Sequence, residues 1–106
     1  MPKLAATLGR YAGPVVVPTI VDKTGIATTV LPDDKLGILL VGVRPDLIAA
    51  AFRLEAGALT VMSADTKFSK NKGTPNQYNC YFEGGFFCVQ NNVADGKTIS
   101  VSLYGI

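Results

Sequence analysis

Residues 36–63 read LGILLVGVRPDLIAAAFRLEAGALTVMS, and this stretch decides the fold. Its first eight residues are Leu, Ile and Val broken only by Gly37 and Gly42, too short to cross a membrane and bounded by turn residues on both sides. The run predicts a strand buried on both faces. Pro32, Asp33 and Asp34 supply the turn before it, and Arg44, Pro45 and Asp46 the turn after it.

Residues 47–56 carry two conflicting signals. Asp46 is placed to cap a short Ala- and Leu-rich helix that Gly57 would end. Against that, Ile48, Ala50, Phe52 and Leu54 alternate with Arg53 and Glu55, and Leu59, Val61 and Ser63 continue a period of two beyond Glu55, Ala56 and Gly57. The alternation favours a hairpin, with the short helix as the competing assignment.

Working outward, 106 residues make one domain with a single modest core. Thr, Val, Asn and Gly are plentiful while Glu, Gln and Arg are scarce, a composition suited to short strands and turns. The expected fold is all-β: a small antiparallel β-sandwich or barrel of about seven or eight short strands. Ten basic against eight acidic side chains leave a formal charge of +2, which argues against nucleic acid as a partner. The apolar tract at 4–8 is too short for a secretory signal, Arg10 interrupts it, and no apolar run is long enough for a membrane helix. These features predict synthesis in the cytoplasm and no membrane partner.

Residues 1–14 are small and weakly patterned, and read either as an N-terminal arm lying on a neighbour or as a frayed terminus, with the β-domain spanning 15–106. Val15, Val16 and Val17 open a strand that Pro18 consigns to an edge or a bulge. Asp22 to Gly25 then turn it toward a second strand at 26–31, which predicts a first hairpin. Residues 64–79 form a polar surface loop anchored by Phe68 and Tyr78, with Lys67, Lys70 and Lys72 opposed by Asp65 alone. This basic loop beside Tyr78 is a candidate contact surface, weighed against a merely solvated loop.

Cys80 to Gln90 turn at Gly84 and Gly85. A two-residue loop sets Cys80 and Cys88 on opposite faces, whereas a three-residue loop brings them directly across from each other. Free thiols are expected in a cytoplasmic chain. Asp95 and Gly96 suit a type I′ turn between 86–94 and 97–104, a final hairpin pairing Val93 with Thr98 and Val89 with Ser102. Apolar residues on both faces of such a small sheet predict burial by another subunit. The candidate interface is Val15, Val16 and Val17 on the edge strand with Tyr104 and Ile106 at the C-terminus.

Reaction chemistry is poorly furnished. The chain has no His, two Cys, and no phosphate-cradling Gly loop, and Asp33 with Asp34 reads as turn chemistry. No enzyme, cofactor or metal site is expected.

Several short motifs carry a resemblance. Phe68-Ser69, GTPN at 73–76, NCYFEGG at 79–85, VQNN at 89–92 and ISVSLYG at 99–105 resemble the β-domains of tailed-bacteriophage virion surface proteins. LGILLVG at 36–42, followed by a Gly-turned hairpin, is similar to lambda-type head decoration, or capsid cement, proteins. The resemblance implies a homotrimeric, non-enzymatic virion protein that binds the major capsid protein or another virion protein and stabilises the phage head. The alternative is a receptor- or carbohydrate-binding module of a phage fibre, with Tyr78 and Tyr81 beside the lysine loop as the contact surface.

Overall fold

The structure is a computed structural model and describes residues 10–30, 36–55 and 58–105. The described residues form nine strands in chain order: β1 Arg10–Val21, β2 Ile26–Val30, β3 Leu36–Arg44, β4 Ile48–Glu55, β5 Ala58–Ala64, β6 Phe68–Ser69, β7 Tyr78–Glu83, β8 Phe86–Asn91 and β9 Lys97–Gly105. They form a five-stranded sheet in the order β1-β9-β3-β4-β5 and a four-stranded sheet in the order β2-β8-β7-β6. The two sheets pack as a sandwich around one core, so the expected all-β class holds. The two-residue β6, parallel to β7, is the strand that sequence patterning does not show.

β4 and β5 pair as an antiparallel hairpin, with Leu54 opposite Leu59 and Glu55 opposite Ala58, so 48–55 is strand and not helix. Ala50, Phe52 and Leu54 point into the core as the period of two requires, while Ala49, Arg53 and Glu55 face out. The strand expected at 36–43 forms, but its expected burial on both faces needs correction. β3 is buried on one face only: Leu39, Val41 and Val43 are buried, whereas Leu36 and Leu40 are 38% and 40% exposed. A central strand of an antiparallel sheet has its second face buried only if another layer lies on it, and no described residue of this chain forms that layer. Gly37 permits the close approach of β9, because a methyl there would sit 2.5 Å from the Tyr104 carbonyl oxygen.

Residues 80–90 form the hairpin with a two-residue loop at Gly84 and Gly85, whose φ values of 59° and 83° suit a type I′ turn. Tyr81 therefore pairs with Cys88 and Cys80 with Val89, so the two thiols lie on opposite faces and are free. Cys80 enters the core beside Tyr78, Phe87 and Val89; Cys88 lies on the outer side of the sheet.

The first and last hairpins do not form. β1 pairs with β9 and β2 with β8, so Asp22 to Gly25 is an arch between sheets. β8 and β9 likewise lie in different sheets, and Asp95-Gly96 belongs to a second arch. The two arches lie side by side and are stapled: Lys23 N donates to Asp95 Oδ1 at 2.9 Å, and Gly96 N donates to Asp22 Oδ1 at 3.0 Å. Thr24 N and Gly25 O bond the backbone of Asn91 at 2.6 and 2.9 Å. The Asn91 side chain, 0% exposed, donates to Val21 O and Ala94 O at 2.8 and 2.7 Å and accepts from Val93 N at 2.9 Å. An amide that satisfies both arches from inside wins over the local hairpin preference of Asp-Gly.

β1 begins at Arg10, so residues 10–14 of the expected arm belong to the sheet, and residues 1–9 lie outside the described residues. As Pro18 requires, β1 is an edge strand with register shifts, one of them between Val16 and Thr19. Replacing Asn91 with Ala strands buried backbone groups at both arches, at about 1–3 kcal/mol for each unpaired group. We expect a loss of about 3 kcal/mol or more in urea denaturation, with Asn91→Asp no better because it cannot donate.

Candidate functional site: an uncovered sheet face

The two outer faces of the sandwich differ. The outer face of the four-stranded sheet is roofed by the chain itself over part of β7 and β8, with Gly73 N bonding Gln90 Oε1 at 2.8 Å and Asn79 Nδ2 bonding Thr74 O at 3.0 Å, while Ile26 and Phe86 on the same face stay 41% and 42% exposed. Asn92 Nδ2 also reaches Thr74 O, at 3.1 Å. Lys72 completes the roof, 2.9 Å from Glu83 and 5.8 Å above the Tyr81 ring. The loop at 64–79 is therefore a lid on the sheet, and its Lys, Asn and Thr residues have structural work to do. Lys70 Nζ donates to Leu59 O at 2.8 Å across to β5, and Lys67 N donates to Asp65 Oδ1 in a local turn.

This arrangement corrects one predicted contact residue. Tyr78 is 0% exposed; it sits in the core against Phe68, and its hydroxyl donates to Asp46 Oδ2 at 2.7 Å. Tyr81 is buried as well, at 8%. The lysine loop thus presents neither of the two tyrosines that the sugar-binding alternative requires.

Asp46 is the residue that sequence reasoning missed as more than a turn former. Its carboxylate also takes a hydrogen bond from Lys97 Nζ at 2.6 Å, and both side chains are largely buried. The Lys97 hydrogen bond, with that from Tyr78, holds the Asp46 carboxyl below its ordinary range. Burial, reinforced by Asp46, pushes the Tyr78 phenol upward. The three groups pin the β3–β4 turn to β9 in its own sheet and to β7 in the other. Nothing in the sequence near Asp46 signals this, because Tyr78 lies 32 residues away and Lys97 51.

Among the described residues, none forms such a roof on the outer face of the five-stranded sheet. In register across it, Ile38 lies between Tyr104 and Arg53, Leu40 between Ser102 and Ala51, and Gly42 between Ser100 and Ala49. Tyr104 is 42% exposed and Leu40 40%. Charge is confined to the margins: Arg53 with Glu55, paired at 2.7 Å, at one end and Arg44 at the other. Of the predicted interface residues, Tyr104 and Val17 are exposed, and Val17 is 61% exposed at the bulged edge. Val15 is half-buried against the core, and Val16 is a core residue at 7%. Val16 is thus no surface contact, because the strand alternates and Val16 opposes Val101 on the inner face. Ile106 lies outside the described residues.

Such a face can adsorb to another protein surface by apolar contact, and it carries no convergent set of ionisable groups. Among the described residues there is no cluster of three or more Cys, Asp or Glu able to hold a metal, and no helix long and apolar enough to cross a membrane. No family model matches the chain, and neither a curated protein nor a solved structure is similar to it.

Two outcomes are expected from this chemistry. A carboxylate whose folded pKa is depressed stabilises the fold above its unfolded pKa, near 3.9, and loses that contribution as pH falls through the folded value. Asp46→Asn should therefore flatten the acid limb of a stability-versus-pH curve below about pH 4. Tyr78 is raised, so its contribution is intact below about pH 10 and declines above it, and Tyr78→Phe should flatten the alkaline limb. Burial pushes the Cys80 thiol up to about 12 and also raises Cys88. A thiol reagent at pH 8 should label neither at an appreciable rate in the native protein and both after denaturation, with no mass deficit of two hydrogens.

Proposed function

We propose that this chain is a non-enzymatic structural protein of a virus particle, an oligomeric decoration or cement protein on the head of a tailed bacteriophage. The observation that carries the reading is the contrast between the two outer faces. The chain's own loop covers the β7 and β8 part of one sheet, with Ile26 and Phe86 exposed beside it, while the other sheet carries exposed Leu36 and Leu40, half-buried Ile38 and 42%-exposed Tyr104 among Ala, Ser and Gly. An apolar face of this kind, with charge only at its margins, is chemically suited to an interface core. Many copies each burying a modest apolar area hold a shell together by additive contact, at about 25 cal/mol for each Å² removed from water.

In this reading the bare face meets other copies of the chain, and the assembled oligomer, a trimer by the resemblance, sits on the major capsid protein. The motifs at 73–76, 79–85 and 99–105 support the virion assignment by resemblance. The binding-module alternative loses its support, since it rested on Tyr78 and Tyr81 as exposed aromatics.

The experiment is a measurement of mass and of shell binding. Light scattering over a concentration series should give a multiple of the 11.2 kDa protomer, and Leu40→Asp should lower it without changing the far-ultraviolet circular dichroism. Co-expressed with the capsid protein of the same virus, the chain should sediment with the shells in a fixed ratio. A protomer that stays single at every concentration, or shells that leave it in the supernatant, would overturn the reading.

A further inference from the structure

Among the described residues, the large apolar side chains most exposed to water are Leu47 at 83%, Ile20 at 73% and Val17 at 61%. They gather at one end of the bare face. Ile20 pairs with Thr98 of β9, and Thr98 pairs with Arg44 of β3, so the three strands present one level of the sheet. There Leu47 and Pro18 line a hollow of about 200 Å³ with Gly42, Thr98 and Ser100.

Leu47 breaks two rules at once. Its φ of 56° is in the left-handed region, where Gly or Asn is at home and a leucine is strained. Its side chain also stands in water. The turn is held in that shape by Asp46, whose carboxylate is bound from two sides by Tyr78 and Lys97. A strained, rigidly presented leucine that is 83% exposed shows the pattern expected of a residue whose main contact lies outside the protomer.

We propose that Leu47 is a self-association knob: in a twofold pair of chains, Leu47 of each copy packs into the hollow beside Pro18 and Ile20 of the other. Charge favours a second copy as the occupant. Exposed Arg44 stands on the β3 side of the hollow, and on the β1 side the arches carry Asp22 and Asp95 against the single Lys23. A twofold axis running along β9 sets β3 of one copy over β1 of the other, so basic meets acidic twice. A symmetric contact needs both halves of the match on one surface, and this end of the sheet has the knob, the hollow and both signs of charge. The contact does not depend on the virion reading; being twofold it pairs protomers and does not close a threefold ring, so a dimer mass in solution favours it over the trimer.

The test separates association from folding. Leu47→Gly relieves the left-handed strain, so its midpoint of thermal unfolding, taken at a concentration where the protomer prevails, should equal or exceed the wild type. Its self-dissociation constant should rise tenfold or more in light scattering. Arg44→Asp should weaken association similarly. A Leu47→Gly protein that associates like the wild type overturns the proposal, and if Leu40→Asp dissociates the same assembly, the broader bare-face reading survives without this contact. Should Leu47→Gly dissociate the assembly while the wild type ignores capsid shells, the contact stands and the virion role falls.

Discussion

The fold depends on one buried amide. Asn91 ends β8 at the point where the chain must leave one sheet for the other, and its side chain ties the carbonyls of Val21 and Ala94 to the amide of Val93. Val21 ends the strand that leaves the five-stranded sheet, and Ala94 lies on the connection that returns to it. A single side chain thereby sets the relation between the two arches, and hence which strands share a sheet. Because the group is fully desolvated, every hydrogen bond it makes replaces a contact with water that is out of reach.

From that corner the asymmetry of the sandwich follows. With β1 and β9 committed to the five-stranded sheet, that sheet takes the long strands, and no described residue lies over its outer side. The four-stranded sheet keeps the Asn-, Thr- and Lys-rich loop, which closes over Asn79, Tyr81 and Gln90. Polar side chains on the outer side of β7 and β8 call for a polar lid, whereas Ile38 and Leu40 offer a lid nothing to bond. The loop goes where its hydrogen bonds are, and the apolar face is left for another surface.

The Asp46 clamp adds a local consequence of the same topology. β7 and β9 come from opposite sheets, yet Tyr78 and Lys97 converge on one carboxylate at the β3–β4 turn. That convergence stiffens the turn whose tip carries Leu47. The bare face and the exposed leucine thus belong to one surface, organised around β9 and bounded by the bulged β1.

Wherever the information is local, it was legible in the residues. The alternation of Ile48, Ala50, Phe52 and Leu54 marks a strand because side chains on a pleat must alternate, and Gly84-Gly85 marks a tight turn because both positions need positive φ. Pro18 likewise marks an edge, since it has no amide to give. The partners of each strand were not legible: Asp22 to Gly25 and Asp95-Gly96 are competent hairpin turns in isolation, and only the contest for Asn91 makes them arches. The burial of Tyr78 was hidden for the same reason, because its hydroxyl is satisfied by a residue far away in the chain. The all-β class and most strand positions were thus determined by the sequence alone, whereas the two-residue loop that separates the two thiols was one of two alternatives the sequence allowed. Sheet membership, the roofed and bare faces and the Asp46 clamp were decided only by the tertiary structure, because hydrogen bonds between distant segments cannot be read from the pattern of either one.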